Sequence, residues 1–127
     1  KALVLGSGGA ARAVEMVLQE KGVEVHMVSR KGILNYQNLT PEMVGHCLLI
    51  VNATPLGMGD WETAAPNIPY AAITRNHYLM DLIYHPQETL FLQKGKAQGS
   101  HICNGLPMLY AQADATWKIW KTFINKK

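Results

Sequence analysis

Apolar residues fall along this chain in short runs, and glycine, proline and small polar residues separate them. Ala2 to Leu5 is one such run and ends in Gly6-Ser7-Gly8-Gly9; beyond it Ala10, Ala13, Val14, Val17 and Leu18 recur at helical spacing. This predicts a strand, a tight turn and a helix. Gly22 is placed as a left-handed cap on that helix, and Val23 to Val28 alternates and then becomes apolar, as a second strand does. Thr40-Pro41-Glu42 joins a capping side chain to a proline at a first helical position, predicting a short helix that leads into a strand from Cys47 to Val51.

That third run is apolar throughout. Unbroken apolar character marks a strand covered on both faces, the habit of parallel sheets flanked by helices. Residues 53–75 carry Pro55, Gly57, Gly59, Pro66 and Pro69 and predict loop. Tyr78 to Ile83 reads as a strand, Thr89 as the cap of a helix reaching Gln98, and Ser100 to Cys103 as a last strand. Pro107 opens a final helix with Leu109, Ala113, Thr116, Trp117, Trp120 and Ile124 on one face. Strands alternating with helices predict an α/β fold with a doubly wound, mainly parallel sheet and helices on both faces.

Composition narrows the class. With 127 residues, 48% hydrophobic and 17% charged, the chain suits one folded domain spanning 1–127. A net charge of +3 without a basic stripe argues against a nucleic-acid partner, and no apolar run approaches the roughly 20 residues of a membrane-spanning helix. Cys47 and Cys103 are expected to be buried, reduced thiols of a cytoplasmic protein, and the five dispersed histidines imply no metal site. The chain opens directly on a strand at Lys1, with neither an initiator Met nor a signal segment, and is expected to be a piece of a longer protein.

The chemistry is concentrated in the first turn. Gly6-Ser7-Gly8-Gly9-Ala10-Ala11 fits G-x-G-x-x-A between a strand and a helix, the fingerprint of a Rossmann-type dinucleotide site. Gly6 permits the tight turn, Gly8 lets backbone approach a pyrophosphate, Ala11 allows close helix packing, and the helix N-terminus attracts the phosphates. Where an NAD site offers an acid after the second strand, this chain has Ser29-Arg30-Lys31, which favours the 2′-phosphate of NADP. The plainer reading makes these solvated loop charges. Asn52 and Thr54 end a buried strand at the edge where such sheets bind ligands, or else they cap their loop.

Four segments in order carry a family resemblance. Gly6 to Ala10, Asn52-Ala53-Thr54-Pro55-Leu56-Gly57-Met58, Asp81-Leu82-Ile83-Tyr84-His85-Pro86 with Thr89 and Leu92, and Asn104-Gly105-Leu106-Pro107-Met108-Leu109 with Gln112-Ala113 resemble the latter half of the shikimate dehydrogenases. The resemblance implies reversible NADP-dependent reduction of 3-dehydroshikimate to shikimate, a step toward chorismate and the aromatic amino acids. Gly6, Ser7, Gly8, Gly9 and Ala10 would hold the pyrophosphate, with Ser29, Arg30 and Lys31 where the family has an Asn-Arg-Thr loop. Asn52, Ala53 and Thr54 would line the cofactor cleft, Leu82 and Gly105 would meet the nicotinamide, and Tyr84 and Gln112 would reach the substrate. Ser29 and Lys31 depart from the family loop, and Pro107 stands where a glycine is frequent.

The same resemblance puts the catalytic Lys and its partnering Asp in an N-terminal, shikimate-binding domain that this chain lacks. The piece is therefore expected to bind NADP without turnover, and a homodimer of the full-length enzyme is left open by the sequence. Three other readings stand beside it: a quinate/shikimate dehydrogenase using NAD, a non-catalytic NADP-binding module, and an S-adenosylmethionine-dependent methyltransferase. The last usually has an acid at the end of its second strand, where Ser29 and Arg30 stand here.

Overall fold

The structure, a computed structural model, describes residues 1–106; the helix expected from Pro107, and Gln112 with it, lie outside the described residues. Five strands, β1 (Ala2–Leu5), β2 (Val25–Val28), β3 (Leu49–Asn52), β4 (Tyr78–Asp81) and β5 (His101–Cys103), form one sheet in the order β2-β1-β3-β4-β5. Every neighbouring pair is parallel. Helices α1 (Gly9–Glu20), α2 (Pro41–His46) and α3 (Leu90–Ala97) make the crossovers, with 3-10 turns at Gly59–Trp61 and Tyr70–Ala72.

The path from β1 to β2 runs one way across the sheet and every later crossover runs the other way. Right-handed crossovers therefore put α1 on one face and α2 and α3 on the opposite face. The packing follows. Leu3, Leu5, Val28, Ile50 and Leu79 meet Val44 of α2 and Phe91 and Leu92 of α3, while Val4 and Val51 meet Ala11, Val14 and Leu18 of α1. Alternate residues of one strand thus serve opposite cores, and so the runs look continuously apolar in the sequence.

Three strands start later than the apolar pattern suggests, for a shared reason. After α1, Gly22 at φ +80° lets its own N–H reach the Gln19 carbonyl and the Val23 N–H reach Leu18, closing the helix as a Schellman motif. Val23 is thereby withdrawn from β2. Gly99 and Ser100 close α3 in the same way, onto the Lys96 and Gly95 carbonyls, so β5 begins at His101. The Cys47 N–H bonds back to Met43 and Val44, which leaves β3 to start at Leu49. The caps read from Thr40 and Thr89 are in place, accepting from the N–H groups of Met43 and Leu92.

One burial expectation is corrected. Cys47 is buried, but Cys103 is exposed, because β5 is an edge strand and Cys103 points away from the core; its thiol donates to the Asn104 carbonyl. His77, which the sequence reading passed over, is fully buried. Its Nδ1 accepts from the Thr74 N–H, so Nε2 carries the proton and donates to the Val44 carbonyl, tying the entry of β4 to α2. Among the described residues no helix is long and apolar enough to cross a membrane, and no three His, Cys, Asp or Glu side chains gather as metal ligands would.

Phe91 is fully buried at the centre of the larger core, edge-on to Tyr70 with ring centroids 6.3 Å apart. Phe91→Ala is expected to cost about 3–5 kcal/mol of unfolding free energy, measured by urea denaturation. A loss under about 1 kcal/mol would show that this face is not the main core.

Candidate functional site

The parallel register ends four strands in one row: Val28, Leu5, Asn52 and Asp81 lie side by side. One step further the ladder continues through the N–H groups of Gly6, Ala53 and Leu82, which donate to the carbonyls of Val28, Leu5 and Asn52. Ser29, Gly6, Ala53 and Leu82 therefore emerge level at the carboxyl edge of the sheet, the edge where open α/β sheets bind ligands.

Gly6 has φ +128°, and a Cβ there would lie 2.9 Å from the Ala53 carbonyl oxygen and 3.5 Å from the Ala11 Cβ. Only glycine fits on both counts. Ala11 is fully buried and lets α1 sit down on the turn. At Gly8 and Gly9 the space a Cβ would take is open, and no side chain caps α1. Among the described residues no acceptor meets the N–H groups of Ser7 through Ala11. A bend presenting uncovered donors at a helix N-terminus fits an anionic group such as a pyrophosphate.

Ser29 and Arg30 follow β2 in a turn closed by the Gly32 N–H on the Ser29 carbonyl. Arg30 is exposed, and among the described residues it forms no ion pair. Its charge is free to meet an anion.

The rim beyond β3 and β4 is fixed by a buried network. The Asn52 side chain, with no exposure to solvent, donates to the Leu56 carbonyl and to Asp81 Oδ2, both at 3.1 Å. Its Oδ1 accepts from the Thr54 N–H at 3.0 Å and from the Thr54 hydroxyl at 2.6 Å. Asp81 also accepts from the Thr89 hydroxyl at 2.6 Å and the Ile83 N–H at 3.0 Å. Burial pushes the Asp81 carboxyl above its ordinary value, and the Thr89, Ile83 and Asn52 donors pull it partway back.

Two adjoining clefts open along this edge. One, of about 340 Å³, is lined by Gly6, Ser7, Gly8, Ser29, Arg30, Ala53 and Thr54 together with Pro55, Leu56 and Trp61. The second, of about 470 Å³, shares Ala53, Thr54 and Pro55 and continues to Ala10, Met58, Leu82, Ile83, Tyr84 and His85. Ten of the expected site residues thus line one continuous groove. The rest stand apart. Asn52 lies behind the wall instead of facing the cleft, because its amide is fully engaged inside; Gly9 and Lys31 are exposed outside the lining. Gly105 is buried against the Leu82 backbone, where a Cβ would overlap the Leu82 carbonyl, and Gln112 lies outside the described residues. Pro55, Leu56, Met58, Ile83 and His85 sit inside the motifs that carried the resemblance, but Trp61 had no motif to signal it.

Fold and cleft together define the class: a Rossmann-like α/β domain with its groove at the carboxyl edge of an all-parallel sheet. The solved shikimate 5-dehydrogenase of Listeria monocytogenes superposes on it with a TM-score of 0.87 at 20% identity, over 95% of this chain and 50% of its own, which speaks for the fold alone. Sequence goes further. The chain is similar in sequence to proteins named NADP-dependent shikimate dehydrogenases: that of Desulforamulus reducens is 33% identical over 143 aligned residues, 96% of this chain and 49% of the relative. That of Aquifex aeolicus is 36% identical over 128, covering 93% and 46%. The shikimate 5-dehydrogenase of Thermus thermophilus, solved in complex with NADP(H) and shikimate, is 35% identical with a TM-score of 0.78 over 94% of this chain and 48% of its own. No protein-family model matches. The chain spans about half the length of the curated relatives it matches.

Asp81 generates a pH prediction. An acid whose pKa is higher in the folded state adds stability that is complete below its ordinary 3.8 and is lost as pH rises through the folded value. Asp81→Asn removes that titration and turns one acceptor into a donor, at a cost of about 1–3 kcal/mol. Urea unfolding across a pH series should give a wild-type advantage that narrows with rising pH; a gap that widens would show the carboxyl to be lowered instead.

Proposed function

We propose that this chain is the cofactor half of an NADP-dependent shikimate dehydrogenase, a single Rossmann-type domain over residues 1–127. In this reading a substrate-binding domain beyond the chain holds 3-dehydroshikimate or shikimate against it. The observation that carries the reading is the first cleft: the amides of a glycine turn and Arg30, without acceptors or an ion pair among the described residues, line the same cavity. Kinship with enzymes named as NADP-dependent supports the choice of cofactor.

NADPH, once bound, supplies the hydride for reversible reduction of the substrate ketone. The chain supplies position and electrostatics. The turn from Gly6 to Ala10 holds the pyrophosphate through N–H donors and the α1 dipole. Ser29 and Arg30, with Lys31 beside them, take the 2′-phosphate by charge-assisted hydrogen bonds. Ala53 and Thr54 form the shared wall, and Asn52 holds that wall from behind. Leu82, pressed on Gly105, meets the nicotinamide end, and Tyr84 and Gln112 reach toward substrate. The catalytic Lys and Asp of the family belong to the other domain, so this chain alone binds cofactor without turning over.

Titration calorimetry of the isolated chain should show NADP bound more tightly than NAD, with no NADP-dependent oxidation of shikimate. Arg30→Ala is expected to erode the preference by roughly tenfold or more, the worth of one charge-assisted hydrogen bond. An unchanged ratio removes Arg30 from the role, and a folded chain that binds neither dinucleotide overturns the cofactor reading.

A further inference from the structure

Trp61 is more than half exposed, at 56%, yet its place is fixed. The Gly57 N–H donates to its carbonyl at 2.8 Å, its own N–H donates to the Met58 carbonyl at 3.0 Å, and the Ala64 N–H returns to its carbonyl at 2.9 Å. Gly57, at φ +112°, is in turn buried against Thr89 and Ile83, so the loop bearing the indole is anchored to the Asp81 network. An exposed indole on an anchored loop is a large apolar surface left uncovered.

The surface it helps to line is the first cleft, not the second. That cleft has two unlike sides. Ser29 and Arg30 emerge from β2, on one side of the β1 turn; Pro55, Leu56 and Trp61 follow β3, on the other. Polar groups and a cation facing an apolar, aromatic wall suit a purine, whose ring has apolar faces and whose ribose carries phosphate.

Resting on the cofactor reading above, we propose that Trp61 is a cofactor-contacting residue: its indole forms the aromatic wall of the adenosine subsite and covers the adenine of the bound dinucleotide. Tyr84, at the outer end of the second cleft, belongs to the nicotinamide side and takes no part in this contact.

The test uses the whole 127-residue chain, whose tryptophans are Trp61, Trp117 and Trp120. Titration with NADP⁺ and with 2′-phospho-ADP-ribose, which lacks the nicotinamide, should quench tryptophan emission; nicotinamide mononucleotide should not. Trp61→Phe keeps an aromatic face and should bind NADP⁺ within a few-fold of wild type while losing most of the quench. Trp61→Ala should weaken binding of NADP⁺ and of 2′-phospho-ADP-ribose alike by roughly tenfold in calorimetry, as loss of a base-stacking ring does. Firm NADP⁺ binding by wild type together with unaltered binding by Trp61→Ala, or an undiminished quench in Trp61→Phe, overturns the role of Trp61 alone. No NADP⁺ binding by the folded wild-type chain overturns the cofactor reading and this inference with it.

Discussion

The groove exists because four parallel strands stop in register. Val28, Leu5, Asn52 and Asp81 share one row, and the residues after them leave the sheet at one level, so turns that are distant in sequence become neighbours in space. An antiparallel strand among them would send one of these loops to the far edge. Register is rigidly specified here, since each strand buries alternate residues in two different cores and a slip of one position would exchange them. The cleft's geometry is therefore set by burial far from it.

A second constraint keeps the loops from drifting once they leave the sheet. Asp81 collects donors from the end of β3, from the residue two beyond β4 and from the cap of α3, and Asn52 passes the restraint on to Thr54 and Leu56. Enclosing a carboxyl costs free energy, and three donors offset only part of it, as the upward shift of its pKa records. That cost falls where the structure needs a single arrangement of its rim. A wholly apolar junction would bury more easily but would not fix the direction of Thr54 or of the Leu56 carbonyl.

Much of the fold was legible because local chemistry and tertiary structure agree. Thr40, Thr89, Gly22 and Gly99 each announce a helix end that the structure uses, and the apolar runs announce the strands. The strand starts were misplaced because apolar character cannot say whether a residue's N–H joins a sheet or closes the preceding helix; Val23, Ser100 and Cys47 do the latter. The exposure of Cys103 was hidden for a related reason, since an edge strand and a central one look alike in composition. In the site, the glycine turn and Arg30 were readable from adjacent residues. The role of Asn52 was not, because its partner Asp81 is 29 positions away and nothing local distinguishes a side chain that lines a cleft from one that braces it.

The same distinction bears on how the groove is divided. Of the residues whose backbone makes the site, Gly6 and Ala53 are held by the sheet ladder and Gly6 has no room for a Cβ beside the Ala53 carbonyl, whereas Gly8 stands in open space. The side chains of Arg30, Trp61 and Tyr84 are exposed along the same groove. A floor fixed by the sheet, with exposed side chains along its walls, suits a long dinucleotide: the floor positions the phosphates, and the walls meet the two ends. On the proposed reading the adenosine end finds both its walls within this chain, whereas the nicotinamide end opens past Tyr84 toward a surface that another domain would complete. Selectivity for the cofactor would then be a property of this half, and selectivity for the substrate a property of the two together.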